Sequence, residues 1–283
     1  MDNGRIEKMI KENLLLAVSF GTTSPDSRRL NIGSVENAIE EAAGKFWSVR
    51  RAFTSQTIIN IIYKNEGIRT DNITEALERA ADSKVRNLVV QPTHLMKGLE
   101  YDKLCTLLSG YADSFENVAV GNPLLTSDED FSRVADALIE VSARCEDGDT
   151  ALVFMGHGTE AAVNAVYDKM QKVLLSKGKT DYYVGTVEAA PSLDDVINAV
   201  RKGNYRKVVL RPLMLVAGNH AVNDMAAPDD PESWYSRFTA AGYETECIIE
   251  GLGQIPAVRA IYADHALRAI ASLQECTSRL QNY

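Results

Sequence analysis

Val85-Arg-Asn-Leu-Val-Val-Gln-Pro-Thr-His-Leu-Met-Lys-Gly98 aligns without gaps to Tyr205-Arg-Lys-Val-Val-Leu-Arg-Pro-Leu-Met-Leu-Val-Ala-Gly218. Each stretch reads as a buried strand that ends at a proline and passes into a loop closed by glycine. The likeness goes beyond apolar character, because Arg, Val, Pro, Leu and Gly recur at matched positions. Two further segments keep step: Val18-Ser-Phe-Gly-Thr22 with Met155-Gly-His-Gly-Thr159, and Gly121 with Gly251 after the fourth strand of each half. The chain is therefore read as an internal duplication.

Outward from these segments, strand-length apolar runs alternate with helical patterns, as parallel βαβ construction requires. The expected strands are Leu14–Phe20, Ser48–Thr54, Asn87–Gln91, Asn117–Val120, Ala151–Met155, Tyr182–Thr186, Lys207–Arg211 and Glu246–Ile249. Amphipathic periodicity predicts helices over Ser34–Phe46, Thr70–Asp82, Asp128–Cys145, Ala161–Leu175, Leu193–Arg201, Ser233–Ala241 and Ala257–Leu273, with Ser34, Thr70 and Ser192 as caps. The expected fold is α/β: two similar lobes, each a four-stranded parallel sheet flanked by helices. The polar turn Glu146-Asp-Gly-Asp149 sets the boundary, giving an N-terminal lobe 1–147 and a C-terminal lobe 148–283. The last helix is a candidate to pack on the first lobe.

A length of 283 residues suits two linked cores. The net charge of −9 repels polyphosphate, and without a basic stripe it argues against nucleic acid as a partner. The run Leu14–Phe20 is too short to span a bilayer, and no small-x-small cleavage site follows it, so no membrane is expected and the expected compartment is the cytoplasm. Cys105, Cys145, Cys247 and Cys276 form no CxxC pair and read as buried small residues. Self-association into a homo-oligomer is left open.

In open parallel sheets ligands bind beyond the carboxyl ends of strands, so the loops after strands hold the chemistry. Three of them in the second half carry ligand-type side chains: His157 between two glycines, Glu188 after the sixth strand, and His220 beyond the seventh. Two imidazoles and a carboxylate suit Co(II), Fe(II), Ni(II) or Zn(II) and leave positions open for a substrate. Alone, a loop histidine is more often a surface or capping residue, and a carboxylate near a helix start serves the dipole. The duplication weighs against those readings. The first-half counterparts are Phe20, Ser55 and Glu100, so the scaffold does not itself demand the triad. His94 aligns with Met214 and reads as packing or as a contact to a substrate edge, while His265 reads as structural.

The ordered motifs Val18-Ser-Phe-Gly-Thr-Thr23, Phe53-Thr-Ser55, Gln91-Pro-Thr-His94, Met155-Gly-His-Gly-Thr159, Gly185-Thr-Val-Glu188, Arg211-Pro-Leu-Met214, Gly218-Asn-His-Ala221, Asn223-Asp-Met225, Gly251-Leu-Gly253 and Pro256-Ala-Val258 resemble the class II chelatases over essentially the whole chain. Within that class they resemble the cobalt chelatases of anaerobic cobalamin biosynthesis. It implies a cleft between two α/β lobes that holds a tetrapyrrole, sirohydrochlorin. It also implies a divalent metal as substrate, cobalt before iron or nickel, and no organic cofactor. His157, Glu188 and His220 become metal ligands and catalytic groups, with His157 the principal base. A carboxylate-rich macrocycle calls for Arg28, Arg29, Arg51, Lys97 and Arg211 as cations, with Ser19, Gly21, Thr22, Thr23 and His94 as further contacts. One position departs from the pattern: Asn219 stands where an aspartate is expected. The competing readings are a non-catalytic tetrapyrrole or metal carrier and a metal-dependent hydrolase.

Overall fold

The computed structural model describes residues 12–280, with side chains to Leu273. It divides into two compact units, one running to Thr126 and resuming at Arg259, the other Ser127–Val258. The boundary expected at 147/148 thus moves to Thr126. The reason is the helix Asp128–Ser142, which packs on the helix Ala165–Ser176 of the second unit. Lys169 lies 4.2 Å over the Phe131 ring and pairs with Asp128, and Lys177 pairs with Asp136. The turn at 146–149 is polar as read, but it lies inside the second unit. The last helix, Pro256–Leu280, belongs to the first unit from Arg259 onward. There the Tyr262 hydroxyl donates to the carbonyls of Thr93 and His94 at 3.0 and 3.2 Å.

The first unit holds β1 (Asn13–Ser19), β2 (Ser48–Phe53), β3 (Asn87–Pro92) and β4 (Asn117–Val120), parallel and in the order β2-β1-β3-β4. The second holds β5 (Thr150–Gly156), β6 (Tyr182–Thr186), β7 (Lys207–Pro212) and β8 (Glu244–Cys247), in the order β6-β5-β7-β8. Two sheets of the same order establish the duplication. Central strands are buried on both faces: Leu15, Leu16, Ala17 and Val18 of β1 and Ala151 to Met155 of β5 have no exposed surface. Each large aliphatic so buried contributes about 1.5–3 kcal/mol of transfer free energy. The edge strand β8 alternates with exposed Glu244 and Glu246, charges that discourage pairing with another chain.

Backbone bonds align the halves residue by residue. Thr93 donates to Val18 O and Leu213 to Met155 O, while Ser55 donates to Phe20 O and Glu188 to His157 O. Phe20 and Ser55 are thereby the structural counterparts of His157 and Glu188. One pairing is corrected. Gly121 donates to Val90 O where Ile248 donates to Leu210 O, so Gly121 corresponds to Ile248 and not to Gly251.

Three further details differ from expectation. Helices Gln56–Glu66 and Leu99–Ser109 add to those read from periodicity; the first is rich in β-branched isoleucine, which blurs the helical signal. Asn72, and not Thr70, caps the helix Ile73–Asp82, and Ser34 lies inside its helix after Gly33, whereas Ser192 caps as expected. Strand β8 begins two residues before the expected Glu246. Cys105, Cys145 and Cys247 are half-buried free thiols, and the side chain of Cys276 lies outside the described residues. Among the described residues no helix is long and apolar enough to cross a membrane.

Candidate metal centre

His157 follows the last residue of β5, Glu188 lies two residues beyond β6, and His220 starts a π-helical turn beyond β7. The ends of three adjacent strands therefore deliver the three side chains. One ligand atom from each lies within 4.8 Å of the others. The two imidazole rings meet edge to face with centroids 4.5 Å apart, and Glu188 Oε2 is 3.5 Å from His157 Nδ1. His157, Glu188 and His220 retain 45%, 54% and 41% of their side-chain surface, which keeps the donor set open to a bulky partner. Structural sites of this kind are normally closed by a fourth protein ligand, and open ones bind substrate.

The local chain explains the geometry. Glu188 N–H donates to His157 O at 2.9 Å, which extends the β5–β6 ladder into the loops and holds the two side chains next to each other. Gly158 has φ +86, and a Cβ there would lie 2.8 Å from Thr186 Cβ and 2.9 Å from Ala189 N, so glycine alone permits this approach. Asn164 spans both loops, accepting from Thr159 N at 3.0 Å and donating to Ala190 O at 2.6 Å. From below, the buried Tyr167 packs against Gly156 and its hydroxyl accepts from Gly158 N at 3.3 Å. Tyr167 and Asn164 escaped the sequence reading because each sits in a stretch that reads as part of one amphipathic helix.

The imidazole orientations follow from their outer partners. His157 Nδ1 lies 3.0 Å from Gly158 O, and His220 Nδ1 lies 2.5 Å from Asp224 Oδ2. A carbonyl and a carboxylate only accept, so each contact favours the tautomer with a proton on Nδ1 and the Nε2 lone pair free. That is the form a divalent cation binds.

The two halves differ at the position of Glu188. In the first unit Ser55 Oγ accepts from Ile58 N and caps the helix that starts at Gln56. In the second the chain runs on to Ser192 before Leu193 starts the helix, and Ser192 takes the capping role. Glu188 is thereby free to present its carboxylate.

The other expected contacts divide. Arg211 is 2% exposed, pairs with Glu250 at 2.9 Å and donates to Val141 O, so it braces the sheet and is not a surface cation. Arg28 is buried and pairs with Glu66, and Arg51 is held in two bonds by Glu36. A guanidinium removed from water needs such a carboxylate, which is why these arginines are already neutralised. Ser19 is buried against Thr93 Oγ1 at 2.7 Å. Arg29 is exposed and pairs with Asp26, while Lys97 is exposed over the Tyr101 ring. Gly21 and Thr22 are buried and Thr23 is half-buried; Gly21, at φ +98, repeats the turn of Gly158.

His94 is half-buried beyond β3. Both ring nitrogens are shielded from solvent and have no partner among the described residues, and burial pulls the pKa from 6.5 down to about 4 against the opposing charge of Glu100. The folded chain then holds His94 neutral where the unfolded chain protonates it. Stability is expected to fall on acidification between pH 6.5 and pH 4, with a slope of up to about 1.4 kcal/mol per pH unit. Chemical denaturation across that window measures it, and His94→Phe should flatten the slope; an unchanged slope would exclude His94 as the source.

Two α/β units of one topology, one of them bearing an open two-histidine, one-carboxylate set beyond its strand ends, define the chelatase class. The chain belongs to the cobalt chelatase (CbiK) family, whose match spans residues 13–271. It is 35% identical over 256 residues to sirohydrochlorin cobaltochelatase of Salmonella typhimurium, covering 90% of this chain and 96% of that protein. To sirohydrochlorin cobaltochelatase CbiKC of Nitratidesulfovibrio vulgaris it is 32% identical over 269 residues, 94% and 93% of the two chains. Among solved structures, SirB from Bacillus subtilis with Fe3+ shares the fold with a TM-score of 0.60 at 12% identity, covering 91% of this chain and 95% of that one.

Proposed function

We propose that the chain inserts Co(II) into sirohydrochlorin, with His157, Glu188 and His220 as metal ligands and His157 as the principal base. The observation that carries the reading is the open donor set, whose ligand atoms lie within 4.8 Å of one another and which, among the described residues, occurs in only one of two duplicated units. Family membership and the names of both relatives point to the same metal and macrocycle.

The reaction replaces two pyrrole N–H protons with one divalent ion, so the site must strip water from the metal and accept protons as the new bonds form. Neutral imidazoles bind the ion through Nε2, and a ligand released as the macrocycle takes the metal becomes a base. Glu188 offsets the charge of the ion and passes protons to solvent, to which its carboxylate is open. Metal exchange for two protons needs no redox or group-transfer step, so no organic cofactor is invoked. In the first unit Lys97, Thr23 and the backbone around Gly21 and Thr22 are assigned to the carboxylates of the macrocycle, and the compartment is the cytoplasm.

Nitrogen and oxygen donors serve Co(II), Fe(II) and Ni(II) alike. The test is therefore anaerobic metallation of sirohydrochlorin followed by absorbance with each ion. Multiple turnovers with Co(II), faster than with Fe(II) or Ni(II), are expected. No acceleration over the protein-free reaction with any ion would overturn the enzyme, and stoichiometric binding without turnover would make the protein a carrier.

A further inference from the structure

The π-helical turn His220–Met225 is fixed to the second unit by Ala221 and Met225, both fully buried in the core with Leu210, Trp234 and Phe238. These anchors are four residues apart. His220 and Asp224, also four apart and one step earlier, share the side of the turn that solvent reaches, each with 41% of its side-chain surface exposed. Their closest atoms are His220 Nδ1 and Asp224 Oδ2, at 2.5 Å. Asp224 is outside the three-residue donor set.

We infer that Asp224 is the positioning residue of the metal centre: it accepts the Nδ1 proton of His220 and so fixes Nε2 as the face offered to the ion. The inference rests on the reading of His157, Glu188 and His220 as metal ligands and deepens it. A half-exposed imidazole without such a partner rotates about its χ angles and divides between two tautomers, only one of which leaves Nε2 unprotonated. The anchored turn removes the first freedom and the carboxylate the second. The two imidazoles are not equivalent: His157 Nδ1 lies 3.0 Å from the Gly158 carbonyl, with the nearest carboxylate, Glu188 of the donor set itself, at 3.5 Å, whereas His220 Nδ1 lies 2.5 Å from a carboxylate outside that set. A carboxylate behind the ring raises its donor strength, which makes His220 the stronger metal ligand of the pair. The exposed Asn219, adjacent in sequence, has no part in this arrangement; the carboxylate that orients the ring comes from one turn further on.

Anaerobic Co(II) titration in the absence of tetrapyrrole, read from the visible d–d absorption, separates this role from turnover. Asp224→Ala is expected to weaken Co(II) binding about 10–100-fold and to alter the band shape. Asp224→Asn, whose amide oxygen still accepts from Nδ1–H, should recover most of the affinity, and Asn219→Ala should match wild type. Wild-type affinity and spectrum in a folded Asp224→Ala protein overturn the inference and leave the metal site standing. Failure of the wild type to bind Co(II) overturns both. Long-range 1H–15N correlation on the unmodified protein tests the point without a substitution: His220 is expected as the Nδ1–H tautomer, and an Nε2–H signal contradicts the assignment.

Discussion

His157→Ala is expected to lower the rate of Co(II) insertion into sirohydrochlorin by roughly 10²–10⁴-fold, the range over which a positioned acid or base contributes. The substitution removes a ligand and a proton acceptor together, so saturating metal should not restore turnover. Its effect on folding should be small. The side chain is 45% exposed and lies outside both cores, and a substitution of that kind stays within about 0.5 kcal/mol. Steady-state metallation with a parallel thermal melt makes the distinction. Addition of His220→Ala should then cost little more, because residues that act as one unit are not additive. A His157→Ala enzyme retaining a third of the wild-type rate would move the site elsewhere.

Gly156→Ala is expected to damage stability and activity through one contact. A Cβ at Gly156 would stand 2.1 Å from Tyr167 Cε1 and 2.7 Å from its Cζ. The ring cannot withdraw, since Tyr167 is 1% exposed and its hydroxyl accepts from Gly158 N–H. Overpacking of this kind costs about 1–3 kcal/mol, or roughly 2–10 °C in melting temperature for a chain of this size. Relief has to come from the strand end, which leads directly into His157, and an ångström of displacement there lowers the rate by up to about 100-fold. Removing the ring in a Gly156→Ala, Tyr167→Leu double variant should be less harmful than the two separate losses imply. Equal melting temperatures for Gly156→Ala and wild type would show that the tyrosine yields.

The duplication, the eight strands and the clustering of His157, Glu188 and His220 were legible because they rest on short-range signals: apolar runs, strand-terminal prolines, and polar side chains just past strand ends. The pairing of Phe20 with His157 followed from the same alignment, and the ladder bonds bear it out. What escaped depends on partners distant in sequence. Arg211 reads as a loop-edge cation until Glu250 and Val141 are placed beside it. Asn164 and Tyr167 acquire a role only when the loops they brace fold over them. The unit boundary escaped for a related reason: a polar turn marks where a chain can bend, whereas the packing of the helix Asp128–Ser142 decides to which core it belongs.

The difference between Ser55 and Ser192 bears on how such a protein diverges after duplication. Phe53 precedes its helix by three positions, and its counterpart Thr186 precedes Leu193 by seven. Placing histidine at 20, glutamate at 55 and histidine at 100 would copy the donor set into the first half on paper. It would also strip the cap from the helix Gln56–Glu66, a loss of about 1 kcal/mol, and leave the new carboxylate at a helix start without the extra turn that frees Glu188. Point substitution therefore cannot readily give the halves equal roles. An insertion separates them, and a descendant or a designer seeking two centres in one chain has to lengthen the loop before changing the side chains.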